Sequence, residues 1–316
     1  HYARQRLRRV VEVYDYPEGW AALFRLEAMS ALSEGEIEAA HRAYLEAARV
    51  YERIGDLAGA TRALRGEGWT LMAQGLHEVA RGRFTAGRKM VEGIPELAVE
   101  WAWCLHGEAA AWIWGESPEG EEGARKAMDA FKAIGAINGV ASTRLLQGNI
   151  AWLEGDLNEA ATCLEGAVGL WSETSTQHLS AGLLHLAMIR CDAEEVERCH
   201  ALLRRLTEHH LDGLAYRWRP VAWVLLSGAS MRMGDLAGAS MCMERAWRVF
   251  SACGVYPHPC ARRLLERSSR QLIAEGMLAE GARGLQIAAA CWRPYDPSHA
   301  SSLVSEAIHF QGMTRY

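Results

Sequence analysis

The chain has 316 residues, half of them hydrophobic and 23% charged, which is enough apolar material for a sizeable core and argues against disorder. Its formal net charge of −5 counts against a nucleic-acid module, which would carry a basic face, so no direct nucleic-acid partner is expected. Only 8 prolines and few β-branched runs are present, so sandwiches, barrels and βαβ folds are disfavoured.

Read from the start, the chain begins with His1 rather than Met, which suggests a piece of a larger protein. Tyr2 to Tyr14 reads as a basic amphipathic N-terminal helix and does not match a secretory leader. From about residue 20, short phrases recur: Gly35-Glu36-Ile37, Gly75-Leu76-His77, a weaker Glu119-Gly120-Glu121, Gly155-Asp156-Leu157, Gly234-Asp235-Leu236 and Gly276-Met277-Leu278, with a degenerate one at Cys191-Asp192-Ala193. Their starts fall 36 to 44 residues apart. Most are followed by a small residue (Ala40, Ala80, Ala124, Ala160, Ala239, Gly281), then a bulky one (Tyr44, Phe84, Met128, Leu164, Met243, Leu285). A second small residue often follows (Ala47, Gly87, Ala167, Ala246, Ala288). The physical reading is a helical hairpin. Glycine takes the left-handed position after one helix, an acid suits the start of the next, small residues permit close helix approach, and the bulky residue plugs the adjacent layer. A single hairpin cannot bury its own faces, whereas stacked hairpins bury them jointly.

The later segments fit the same scheme. Val140 to Glu154 and Pro220 to Met233 read as first helices of hairpins, Tyr256-Pro-His-Pro259 as a rigid interruption, and Arg293-Pro-Tyr-Asp-Pro297 as the end of the last pair. His299 to Phe310 then reads as a terminal helix. The expected organisation is one array over 1–316: an N-terminal helix within 1–19, about seven helical hairpins over 20–292, and a C-terminal helix and tail over 293–316.

The unit Leu145-Leu-Gln-Gly-Asn-Ile-Ala-Trp-Leu-Glu-Gly-Asp-Leu-Asn-Glu-Ala160, continuing to Ala167, resembles the tetratricopeptide repeat (TPR) family, with Gly148 and Gly68 at the family's small position on the first helix. The resemblance covers residues 20 to 292 and implies an all-α, right-handed α-solenoid. The units are longer than the family's usual repeat, and its aromatic and Leu-Gly signature is mostly eroded. Together with Tyr51-Glu-Arg-Ile-Gly-Asp-Leu-Ala-Gly-Ala60, this looks like the sensor arrays of bacterial signalling proteins, including the MalT-like ATP-dependent transcription regulators.

Chemical motifs are missing. The sequence contains no P-loop, H-E-x-x-H, G-x-S-x-G or kinase catalytic loop, and Gly66-Glu-Gly68 lacks the context of a dinucleotide site. The chain is therefore expected not to be an enzyme and to need no cofactor or metal. Cys253, His258 and Cys260 could supply three zinc ligands, but the flanking prolines already explain the segment as a bend. Cys191, Cys199 and His200 match no usual site, and Cys104 and His106 would point to different helix faces. The eight scattered cysteines read as reduced thiols, and no apolar stretch suits a membrane span, so a cytoplasmic location is expected.

Most of the 12 tryptophans, including Trp101, Trp103, Trp112 and Trp114, read as core. Projecting the family's groove-facing positions onto this chain singles out Trp69 and Trp152 with Met29, Asn149, His178 and His185, and places Arg25, Arg62 and Arg65 on the same inner face. Arginine beside tryptophan combines bidentate donors with flat apolar contacts. The expected function is a protein- or peptide-binding scaffold acting as the regulatory part of a signalling protein. The alternatives are a small-molecule effector sensor and a homotypic assembly module.

Overall fold

The computed structural model describes residues 2–174 and 176–313. Among them are sixteen α-helices and no strand. A lone helix, α1 (Tyr2–Tyr14), precedes seven hairpins: α2 (Pro17–Glu34) with α3 (Ile37–Ile54), α4 (Leu57–Met72) with α5 (His77–Met90), α6 (Ala98–Trp114) with α7 (Glu119–Ala133), α8 (Ile137–Leu153) with α9 (Leu157–Thr174), α10 (Thr176–Asp192) with α11 (Val196–Arg205), α12 (Arg219–Arg232) with α13 (Leu236–Cys253), and α14 (Pro259–Ala274) with α15 (Leu278–Trp292). A final helix, α16 (Pro297–Met313), packs on α15. The chain divides into two compact units, residues 1–143 and 144–316.

Local chemistry explains the punctuation. Gly35, Gly75, Gly155, Gly234 and Gly276 all adopt φ of 78–88°, a left-handed conformation that costs a residue with a Cβ about 1–2 kcal/mol. The acid after the glycine caps only when it is aspartate. Asp156 Oδ1 accepts from Glu159 N at 2.9 Å and Asp235 Oδ1 from Gly238 N at 2.8 Å, while Glu36 makes no such bond. The same phrase also joins consecutive hairpins: Gly55 has φ 75°, and Asp56 Oδ1 accepts from Gly59 N at 2.8 Å.

The degenerate phrase needs a shifted register. The left-handed residue in the turn of the fifth hairpin is Glu194, with φ 60°, three residues beyond Cys191. Aligned from Glu194, Cys199 falls on the small position and is 1% exposed, and Leu203 falls on the bulky position and is fully buried. The position that is Ala or Gly in five of the other six units becomes Leu206, and here the helix widens into a π-turn over Leu206–His210.

The core follows the predicted ladder. Ala40, Ala80, Ala160, Ala239, Phe84, Leu164, Met243 and Leu285 are all fully buried. Phe84 of α5 shows the plug at its tightest. A Cβ added to Gly68 of α4 would meet its ring at 2.6 Å, and one added to Gly107 of α6 at 2.4 Å. Gly66 is likewise filled by Tyr44, so both glycines of Gly66-Glu-Gly68 serve packing. No helix among the described residues is long and apolar enough to cross a membrane.

Candidate functional site

In the N-terminal unit, Arg62, Arg65 and Trp69 stand three and four residues apart on α4 and so share one face. Arg62 is engaged: its Nε and Nη2 donate to Glu100 Oε1 on α6 at 2.9 and 2.7 Å. Two further buried carboxylates in this unit are also matched by arginines. Arg83 Nε lies 2.9 Å from Glu67 Oε1, and Arg88 Nε lies 2.9 Å from Glu108 Oε1. Burial raises the Glu67 carboxyl above its usual range, and Arg83 opposes that shift.

Arg65 is different. It makes no hydrogen bond or ion pair among the described residues, and its guanidinium lies 5.7 Å from the Trp103 ring centroid. Desolvation pulls its pKa below the usual arginine range, and neighbouring Arg62 acts in the same direction. Arg25 of α2 also lacks a carboxylate partner; its Nη1 contacts Met29 Sδ at 3.5 Å, and Met29 is 48% exposed. Both Arg25 and Arg65 act on the buried Tyr44 hydroxyl, whose pKa burial nevertheless pushes up to about 12. Two cations that make no ion pair among the described residues therefore flank one phenol beside an indole.

Trp69 has a packing role. Its ring meets Phe84, His106 and Trp114 at centroid distances of 5.4, 6.0 and 5.8 Å. Trp103 continues this aromatic ladder to Phe131 at 4.8 Å. Trp101 and Trp112 instead line a separate pocket of about 760 Å³ with Leu105 and Glu122. Trp103 was not among the groove residues named from the sequence; its signal was its three-residue spacing from Glu100, the partner of Arg62.

In the C-terminal unit, Asn149 and His185 are buried at 0% and 3% exposure and pair with each other, Oδ1 to Nδ1, at 3.1 Å. The His185 ring also packs on Trp218 and His258. Burial lowers its pKa to about 4, so the ring is neutral near pH 7. His178 stacks on Trp171 with centroids 5.7 Å apart and is likewise shifted down by burial. Trp152 is 6% exposed, and its Nε1 donates to Asp192 Oδ2 at 2.7 Å. Asn149, Trp152 and His185 are thus buried within the unit, and His178 is part-buried.

The cysteine–histidine segment is built as a helix cap. His258 Nδ1 accepts from Cys260 N at 3.3 Å, and Cys253 Sγ donates to Val249 O at 3.3 Å. No group of three or more His, Cys, Asp or Glu able to hold a metal occurs among the described residues. Burial pushes the Cys104 thiol up to about 12, so it is not a nucleophile near neutral pH.

No protein-family model and no curated protein matches the chain. Solved structures do. A Rap protein complexed with Competence and Sporulation Factor aligns with TM-score 0.66 and 11% identity, over 96% of this chain and 80% of that one. BtubC from P. vanneervenii aligns with TM-score 0.52 and 15% identity, over 72% of this chain and 94% of that one. At these identities the likeness concerns the fold alone. With the seven hairpins and their glycine-punctuated, small–bulky–small ladder, it establishes that the chain has an all-α, TPR-like helical-repeat fold.

Proposed function

We propose that the chain is a non-catalytic binding scaffold whose N-terminal unit captures a protein or peptide partner on the face carrying Arg25, Arg62, Arg65 and Trp103. The observation that carries this reading is Arg65: a largely desolvated guanidinium beside an indole, with no hydrogen bond or ion pair among the described residues. Glu100 acts on Arg65 from a distance, but the desolvated guanidinium makes no direct pair, so an arriving carboxylate gains more here than at a solvated surface. The Rap structure, which shares the fold, is recorded complexed with a Competence and Sporulation Factor, and this supports a binding role by analogy of fold. As the regulatory part of a larger signalling protein, such an array would pass capture of its partner to attached domains.

The test is selection of a random-peptide display library on the full chain, followed by calorimetry with the selected peptides. They should be enriched in carboxylates near an aromatic or aliphatic residue. Arg65→Met should weaken them by about tenfold or more, the effect of losing one charge-assisted hydrogen bond. Arg62→Met should weaken them less, because Arg62 is already held by Glu100. Equal affinity for wild type and Arg65→Met would remove this face from the function.

A further inference from the structure

A cleft of about 240 Å³ opens in the C-terminal unit where the end of α8, the end of α10 and the first turns of α14 meet. That volume corresponds to about eight waters of liquid. Its walls mix apolar surface, from Trp152 and Leu153 of α8 and Pro259 and Leu264 of α14, with the charged groups of Asp192, Arg263 and Arg267. The indole N–H of Trp152 is already engaged by Asp192 and the ring is mostly buried, so a visitor meets only a small apolar part of it beside the exposed Leu153.

The charges on the lining do not cancel. Asp192 is held by Trp152 and by Arg267, whose Nη1 stands 3.0 Å from Asp192 Oδ1. Arg267 is further fixed by donation from Nη2 to the Cys191 carbonyl at 3.0 Å. This leaves Arg263, one helical turn before Arg267 on α14 and lining the same cleft. It has no ion pair or hydrogen bond among the described residues, so the lining carries one surplus positive charge.

We propose that this cleft binds a small organic acid, a single carboxylate on a compact flat apolar body, with Arg263 taking the carboxylate and Trp152 the apolar body. Its size fits a one-ring molecule and excludes a folded partner. Arg267 acts as a positioning residue: it neutralises Asp192 and so leaves the anion free of a competing charge. The site lies in a different unit from Arg65, so it stands or falls independently of the peptide-binding reading.

The probe is phenylacetate, titrated calorimetrically into the full chain. We expect one saturable site, with the neutral isostere phenylacetamide bound about tenfold more weakly or worse. Arg263→Ala should cost phenylacetate a similar factor and leave phenylacetamide unchanged, and Arg263→Lys should restore part of the loss. Because Leu153 is 40% exposed, Leu153→Glu should keep the fold, checked by circular dichroism, and repel the anion at the rim. A blocked tetrapeptide ending in phenylalanine carries the same carboxylate on a longer chain. Weaker binding by that peptide supports a free acid, and tighter binding overturns it in favour of a protein C-terminus. Absence of saturation at millimolar phenylacetate, equal affinity for the amide, or indifference to Arg263 would also overturn the proposal.

Discussion

The plug-and-socket logic of the repeat makes a prediction whose sign depends on background. Phe84 is fully buried and fills the space left by two glycines on neighbouring helices. Phe84→Ala should cost about 3–5 kcal/mol, combining lost transfer energy with the cavity left behind. Gly107→Ala places a methyl group at 2.4 Å from Phe84 Cδ1 and 2.5 Å from Cε1, far inside van der Waals contact. Relieving that overlap in a packed core costs about 1–3 kcal/mol, while alanine's better helix propensity returns about 1 kcal/mol. In the wild-type background Gly107→Ala should therefore lower stability by up to about 2 kcal/mol. In the Phe84→Ala background the obstructing ring is gone, so the same substitution should raise stability by about 1 kcal/mol and fill part of the cavity. Urea denaturation followed by circular dichroism, run on the two single variants and the double variant, measures the cycle. Equal effects of Gly107→Ala in both backgrounds would refute the claim that glycine is required there to admit the ring.

Other expectations follow from the same geometry. Asp56→Ala should cost about 0.5–2 kcal/mol through its lost cap on Gly59, whereas Glu36→Ala, which removes no cap bond, should lie near zero in the same denaturation series. His185 is neutral and buried, with a folded pKa of about 4 against 6.5 for the free side chain. The unfolded chain therefore binds the proton more readily, so this contribution to stability is fully present above pH 6.5 and is lost as pH falls from there towards 4. Melting curves of His185→Gln should show a shallower decline over that window than wild type, and an identical slope would count against the assignment. The Arg65 and Arg263 variants described above complete the set. Each should leave the other's ligand unaffected, which cross-titration checks directly.

How much could be read from the sequence varies with the range of the interaction. The hairpins were legible because their determinants are local. A left-handed glycine, a capping aspartate and small residues at helical spacing act within one or two turns of their own position, and Gly35, Asp235 and Ala40 behave as their types demand. The weak seventh phrase was misplaced by three residues because Glu194 adopts the left-handed turn without being glycine, which leaves no compositional signal. The inner-face residues were less legible still. Arg62 and Arg65 have the same type, helix and face, yet Glu100 engages the first and not the second.

What the sequence determined by itself was the all-helical repeat with its seven hairpins, because backbone conformation and helix approach are set by residue type over short spans. Tertiary structure alone decided which polar groups keep free capacity. Asn149 meets His185 across 36 residues, Trp152 meets Asp192 across 40, and Arg267 meets the Cys191 carbonyl across 76. Whether a charge is neutralised depends on which helices stack beside it. That is why Arg65 and Arg263, alike in sequence to their engaged neighbours Arg62 and Arg267, are left without an ion pair or hydrogen bond among the described residues.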